Sequence, residues 1–493
     1  LAEEEVYKVM SKKKNVFMIC TDHWSGSLLG CAGRHDIMTP TLDYLAENGV
    51  RFDNFYSECP VCIPARRTMM TGLSPKSHGD RVYSDLMRMP EVPTLAETFR
   101  VNGYQTLAVG KLHVYPQRSR IGFENVILAE EGRYELGAVD DYQIWLGENG
   151  YLGQEFMHGM GNNTYYTRPW HLDEPAHPTN WVTMQMMKQI KRKDPDRPFF
   201  FYCSYQFPHP PLVPLQTFLD MYDEDELEPP SGQDWLDDSY ILQAMCDSAR
   251  VYTEKERKRA RRAFFALCTH IDYQIRLLIG TLRESNVLDD TIIVFTSDHG
   301  DMLFNHDMVA KRSFYEESAC VPFLLSGKPM LPLRGRVEKK LAGMCDLMPT
   351  LLDLCGIKIP ETVEGIPLLS DQTHEYLYGE VSEGDKSTRM IRWSDYKLIY
   401  YPCGNVFQLF DLEKDRKETH NCEKDPEYAQ VLATMKAYLL SNLHDSDQAW
   451  VKNGELIGFE SKRYESKADF GLYNQRGYHW PTPAGYSNQG KNV

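Results

Sequence analysis

Asn15-Val-Phe-Met-Ile-Cys-Thr-Asp22-His23 is the stretch on which the reading of the fold turns. It is an unbroken apolar run that stops at an acid and an imidazole. A run without polar alternation suits a strand buried on both faces, as in a parallel sheet. The pattern recurs along the chain. Residues 105–109 end at Gly110-Lys111-Leu112-His113, residues 198–205 run into Gln206-Phe207-Pro208-His209-Pro210-Pro211, and residues 291–296 end at Ser297-Asp298-His299-Gly300-Asp301. A fifth run, 321–325, closes the sheet pattern. Helices are expected between them, at about 41–48 and 93–102, each stopped by a glycine, Gly49 and Gly103. Strands alternating with helices imply an α/β fold with a parallel or mixed sheet covered on both faces. In such sheets ligands bind outside the carboxyl ends of the strands. Asp22, Lys111, His113, His209 and Asp298 all fall at that end, from four separate parts of the chain.

Length and charge narrow the function. The 493 residues exceed one ordinary core, so two or more units are expected. With 42% hydrophobic and 25% charged residues, the composition is that of a soluble globular protein. A net charge of −16 argues against nucleic acid as a partner and makes an anionic substrate depend on a local positive pocket. The one dense basic run, 255–262, sits on a helix opened by a Thr253-x-x-Glu256 capping box, and its charges read as a solvated face. No stretch approaches the ~20 apolar residues of a membrane span. Lys12-Lys13-Lys14 before Val16 is like a signal peptide only superficially, because the apolar run is short and leads straight into Asp22. Met10-Ser-Lys-Lys-Lys reads as a natural start, with 1–9 as an extension, and the cytoplasm is the preferred compartment. The twelve cysteines show no CxxC pair or regular spacing, and Cys20, Cys203 and Cys268 sit in apolar segments. They read as reduced core thiols.

The segment Cys59-Pro-Val-Cys62-Ile-Pro-Ala-Arg66-Arg-Thr-Met-Met-Thr71-Gly72 can be a buried cysteine before a proline-started helix. It also resembles the signature of the formylglycine-dependent sulfatases, Cys-x-Pro-x-Arg with a downstream Thr-Gly, and the resemblance runs in order from about residue 15 to 440. It implies an alkaline phosphatase-like fold: a mixed, largely parallel sheet between helices, plus a smaller C-terminal α+β domain with an antiparallel sheet. It further implies that a maturation enzyme oxidises Cys62 to formylglycine. The hydrated aldehyde then supplies one hydroxyl to attack sulfur and a second to expel the sulfate.

The same resemblance assigns the other parts of a site. Asp22, Asp298 and His299 become ligands of a divalent metal, and His23 is a positional match where many members carry a second Asp. Hard oxygen ligands favour Ca²⁺, with Mg²⁺ or Mn²⁺ as alternatives, while imidazole shifts preference toward transition metals. Lys111 would contact sulfate and formylglycine, and His113 would take a proton from the hydrate, work that suits a pKa near neutrality. His209 and Lys311 would bind sulfate and serve the leaving group. Arg66, always charged and able to donate two bonds at once, would hold the hydrate. Arg118 and Arg120 could recognise a second anionic group on the substrate.

The expected activity is hydrolysis of a small-molecule or oligosaccharide sulfate ester, with a carbohydrate such as a glycosaminoglycan-derived saccharide preferred. The alternative is a phosphonate monoester or phosphodiester hydrolase of the same superfamily, which shares Cys-x-Pro-Ala-Arg and Pro-His-Pro-Pro; Lys111-x-His113 favours the sulfatase. An inactive binding protein is a third reading, against which the intact Cys62, Asp298 and Lys311 speak. A catalytic domain is expected over 10–370, a small C-terminal domain over 371–446 with strands at 396–401 and 406–410 and a helix at 426–443, and a tail over 447–493 in which His479-Trp480 could reach a site or a second copy of the chain. Between 113 and 180 the helical signal is poor. Its aromatics (Tyr134, Tyr142, Trp145, Tyr151, Tyr165, Tyr166, Trp170) read either as a sugar-stacking lid or as loop packing.

Overall fold

The computed structural model describes residues 13–464 apart from 133–138, 162, 236 and 246–247. Met10, Tyr134 and His479-Trp480 therefore lie outside the described residues. The apolar runs form the centre of an eight-stranded sheet. In chain order its strands are β1 (Asn15–Asp22), β2 (Val50–Phe52), β3 (Gln105–Gly110), β4 (Asn125–Leu128), β5 (Phe199–Pro208), β6 (Thr291–Ser297), β7 (Phe323–Ser326) and β8 (Arg336–Glu338). Their spatial order is β4-β3-β5-β1-β6-β7-β2-β8. All neighbours are parallel except β7, which runs against both β6 and β2. The run expected to close the sheet is thus followed outward by two short edge strands.

Period-2 alternation divides β1 between two cores. Phe17 and Ile19 pack with Phe264, Ile271 and Ile275 of the long helix Glu254–Glu284 and with Trp181 and Met186 of the helix Pro178–Lys191. Val16 and Met18 face the other way, toward Met69 of the helix Cys62–Thr71, Leu95 and Phe99 of Leu95–Val101, and Leu351 of Leu347–Leu354. Burial on both faces is why these strands carry no polar alternation. The capping box at Thr253 and Glu256 is present. The helix is not solvated throughout its basic run, however: Arg261 is buried and donates to the Leu303 and Glu228 carbonyls.

A separate four-stranded antiparallel sheet follows: β9 (Tyr376–Val381), β10 (Thr388–Trp393), β11 (Tyr396–Tyr401) and β12 (Val406–Asp411). The helix Ala429–Asn442 packs on it through Met435 and Leu439. Three local expectations are corrected. The weakly helical region contains a helix, Asp141–Glu148, capped by the Asp140 side chain, and its Tyr142 packs in the core 5.3 Å from the Trp181 ring. Tyr165 is likewise core, so packing takes up these two, while Trp145, Tyr151, Tyr166 and Trp170 are half-buried. The chain beyond 446 is not a loose tail at its start: Asp447 and Trp450 are fully buried. Among the described residues, no helix is long and apolar enough to cross a membrane, and the described cysteines are all free thiols.

Candidate active site

Sheet register decides what meets at the strand ends. Thr21 pairs with Ser297 and Asp22 with Pro208, so Asp22, Asp298 and His209 emerge side by side. Gly110 pairs with Ser204 at a left-handed φ of 103°, and a Cβ there would lie 1.9 Å from the Ser204 carbonyl oxygen. Only glycine lets β3 close on β5 at this point, which delivers Lys111 beside Asp22. From the opposite core, the helix Cys62–Thr71 brings Cys62 in its first turn and Arg66 one turn on.

The side chains interlock. Cys62 Sγ lies 3.2 Å from His299 Nε2 and 3.7 Å from Asp22 Oδ1 and is buried. Arg66 donates from Nε to Asp298 Oδ2 (2.7 Å) and from Nη1 to the Lys111 carbonyl (3.0 Å) and Ser204 Oγ (2.9 Å). Lys111 Nζ donates to Asp22 Oδ2 and, at 2.7 Å, to Glu131 Oε1. Lys311 Nζ donates to His23 Nε2 (2.8 Å), Asn163 Oδ1 (3.1 Å) and His209 Nε2 (3.3 Å). His23 Nδ1 is 2.6 Å from Asp301 Oδ2, which also accepts from the Tyr165 hydroxyl. His113 is held by its backbone N–H on Glu130 (3.0 Å), with Nε2 3.3 Å from the Tyr83 hydroxyl. His23, His113 and Glu131 all have φ between 58° and 73°. Non-glycine residues stay in that region only where the surroundings impose it, and such strain clusters at functional sites.

The electrostatics follow from burial and neighbours. Burial alone would raise Asp22, but Lys111, Arg66 and His299 hold it well below the usual carboxylate range. Burial and Lys311 push His23 and His209 far down, so both are neutral. His299 moves the other way: against the burial penalty, Asp298, the Cys62 sulfur and Asp22 raise it to about 9. The point between Asp22, Asp298 and Cys62 therefore calls for positive charge. One donor atom each from Asp22, His23, Cys62 and His299 lie within 4.8 Å of one another, and His299 Nε2 is 3.7 Å from Asp298 Oδ1. Carboxylates and imidazoles gathered at that spacing fit a divalent cation.

Ten of the expected site residues thus meet around one point or on its rim. Arg118 and Arg120 are not brought into the cluster. Both are exposed; Arg118 makes two 2.9 Å bonds to Asp141 and a third to the Val139 carbonyl, and Arg120 donates to the Glu124 carbonyl. Sequence reasoning missed Glu130, Glu131, Asn163, Tyr165 and Asp301. Asp301 stood two residues after His299 in a quoted stretch, and Glu130-Glu131 follow the short strand β4, whose four residues gave too little signal.

The sulfatase family profile matches residues 14–357, and the profile of the N-sulphoglucosamine sulphohydrolase C-terminal region matches 305–445. The chain is 34% identical over 468 residues to an arylsulfatase of Clostridium perfringens, spanning 90% of this chain and 97% of that one. It is 31% identical to a choline-sulfatase of Rhizobium meliloti (86% and 85% covered) and 28% identical to a Δ4,5-hexuronate-2-O-sulfatase of Bacteroides thetaiotaomicron (87% and 88%). Among solved structures, a phosphonate monoester hydrolase of Agrobacterium radiobacter superposes with a TM-score of 0.75 at 21% identity, covering 92% of this chain and all of that one; this likeness shows the shared fold. The chain belongs to the sulfatase family, within the alkaline phosphatase-like fold. It is a sulfuric ester hydrolase.

Proposed function

We propose that this enzyme, with Cys62 oxidised to formylglycine by a maturation enzyme and with a divalent cation held by Asp22, Asp298 and His299, hydrolyses the sulfate monoester of a carbohydrate. The observation that carries the proposal is the placement of Cys62: a buried thiol in the first turn of a helix, facing Asp22 and His299 and ringed by Arg66, Lys111 and Lys311. The relative acting on a hexuronate 2-O-sulfate supports a saccharide substrate. Calcium is the favoured ion because two carboxylates supply hard oxygen ligands. The cation would polarise the nucleophile and a sulfuryl oxygen.

The chain's own residues divide the remaining work. Lys111 and Lys311 present ammonium groups to the sulfate oxygens from two sides, and Arg66 holds Asp298 while its Nη2 lies 3.5 Å from Asp22. His209 Nδ1 is fixed on the Pro210 carbonyl at 2.5 Å, so its proton sits there and Nε2 accepts from Lys311. Lys311, bonded to two neutral imidazoles, is placed to pass a proton to the departing alcohol. His23, tied through Nδ1 to Asp301, serves either as a further ligand or as the group that orients Lys311. His113 stands on the rim to accept a proton when sulfate leaves. Residues 10–370 are read as the catalytic unit, and 371–446, beginning just before β9, as the smaller one.

Peptide mass spectrometry of position 62, on protein made with the maturation enzyme, tests the proposal together with turnover of 4-nitrophenyl sulfate and an aryl phosphonate monoester. An aldehyde at 62 and faster sulfate turnover are expected. An unmodified cysteine in active protein, or faster phosphonate cleavage, would overturn it.

A further inference from the structure

Two arginines of the basic run at 255–262 turn inward and take hold of the loop that carries Lys311. Between Met302 and Arg312 the backbone is left-handed at Leu303, Phe304, His306, Asp307, Ala310 and Arg312, with φ from 42° to 78°. None of these is a glycine, so each conformation is unfavourable and persists only where its neighbours impose it. Lys311 stands between two of them, and its ammonium group reaches His23, Asn163 and His209. The loop closes on itself through the Met302 N–H, which donates to the Ala310 carbonyl at 2.8 Å. Asp301 Oδ1 accepts from the backbone N–H groups of Leu303 (2.8 Å) and Ala310 (3.2 Å). Leu303 and the residue before Lys311 are therefore tied to one carboxylate oxygen.

The arginines hold the other side of the loop. Arg261 donates from Nη1 to the Leu303 carbonyl at 2.8 Å and from Nη2 to the Glu228 carbonyl at 2.7 Å. One turn earlier, on the same helix face, Arg257 Nη1 donates to Asp307 Oδ1 at 2.5 Å and its guanidinium lies 6.0 Å from the Phe304 ring. Asn305 and His306 are pinned in turn by Ser231, whose N–H donates to Asn305 Oδ1 at 2.7 Å and whose carbonyl accepts from the His306 N–H at 2.8 Å. A buried guanidinium is costly unless it is paired. Arg261 is 4% exposed, yet it meets two carbonyls and, among the described residues, no carboxylate. Stability alone does not call for a charge here, since an apolar side chain could fill such a place at less cost. What the guanidinium adds is a fixed direction for the Leu303 carbonyl, and with it for the strained loop.

We propose that Arg261, assisted by Arg257, is a positioning residue that holds Lys311 at the leaving-group oxygen. The inference rests on the reading of Lys311 as proton donor to the departing alcohol, and it adds to that reading a residue that touches neither substrate nor cation.

The test compares kcat/KM of the matured enzyme on 4-nitrophenyl sulfate, whose phenolate leaves readily, and on phenyl sulfate, whose phenolate needs a proton. Arg261→Met should lose roughly tenfold on the first and roughly a hundredfold on the second, and Arg261→Lys, which keeps a donor, should recover part of the loss. Lys311→Met should show the same steepening. The two substitutions together should cost no more than Lys311→Met alone, because both act through one ammonium group. Equal losses of Arg261→Met on the two esters, or losses that add in the double variant, overturn the inference. Should Arg261→Met fail to fold, Arg257→Met at the half-buried neighbour makes the same comparison. If Lys311→Met leaves the dependence on leaving group unchanged, the proton-donor reading of Lys311 fails. Amide hydrogen exchange then judges the positioning separately: faster exchange confined to 302–312 in Arg261→Met supports it, and unchanged exchange there overturns it.

Discussion

Replacing Lys397 with methionine should damage both stability and catalysis, although Lys397 lies in the C-terminal sheet. Its ammonium group is fully buried and bonds to Glu316 Oε1 (2.6 Å), Glu418 Oε1 (2.8 Å) and the Phe314 carbonyl (2.8 Å). Glu418 in turn accepts from the Glu316 backbone N–H at 2.7 Å. Methionine keeps the packing but takes the cation from Glu418 and leaves Glu316 only Arg416, at 3.5 Å, and breaking a buried pair in this way costs about 3–5 kcal/mol. That is a large share of the ~5–15 kcal/mol that holds a typical domain folded. The same bonds fix the segment running from Lys311 to Glu316, so the variant should also shift Lys311. A displacement of about 1 Å at a catalytic group costs roughly a hundredfold in rate. Urea unfolding followed by tryptophan fluorescence measures the first effect, and kcat/KM on 4-nitrophenyl sulfate the second. The pH dependence has a definite sign. The Glu418 carboxyl, pushed up by burial to about 8 even with Lys397 beside it, moves further above its unfolded value in Lys397→Met, so the protein is least impaired at low pH and the deficit grows as pH rises. An unmoved unfolding midpoint together with unchanged kcat/KM would refute the claim that this sheet positions Lys311.

Other consequences can be checked directly. Cys62→Ala should abolish sulfate turnover while costing only about 1 kcal/mol in unfolding free energy, because its contacts are few and weak. A chelator should remove activity and a divalent cation restore it, and calorimetry on Asp298→Asn should show cation affinity reduced at least ~10-fold. His299, raised to about 9, contributes stability to cation-free protein that is fully present below its unfolded value of about 6.5 and is lost as pH rises through about 9. Thermal unfolding across that window should show the decline with chelator present and a flatter profile once the cation is bound.

What the sequence made legible was whatever depends on local pattern. A buried parallel strand announces itself by an unbroken apolar run, and its carboxyl end marks a site, so Asp22, His209 and Asp298 could be placed together before their register was known. Cys62, Arg66 and Lys111 were legible through a motif. What stayed hidden depends on which chain segments meet. Arg118 looked free to bind an anion because nothing in sequence shows that Asp141 lies against it at the start of a helix. Asp301 and Tyr165 are separated by 136 residues, yet the Tyr165 hydroxyl donates to Asp301 beneath His23. Asp447, in a stretch rich in polar residues, looked like part of a tail; only the fold reveals that two guanidinium groups wait for it.

That last feature bears on how the molecule can be cut and recombined. Asp447 accepts from Arg389 at 2.7 and 2.9 Å and from Arg81 at 3.1 Å, and the Trp450 ring lies 4.9 Å from the Arg389 guanidinium. Arg81 follows soon after the helix that carries Cys62, whereas Arg389 belongs to the C-terminal sheet. One late carboxylate thus fastens the front of the chain to its back. A version trimmed at 446 would keep every residue of the reaction centre and still lose part of its clasp, with Arg81 left on Glu380 and Glu383 and Arg389 left without a carboxylate. The antiparallel sheet is therefore no interchangeable module: grafted from a relative, it must arrive with its own Asp447 and Trp450, or with neutral replacements for both arginines.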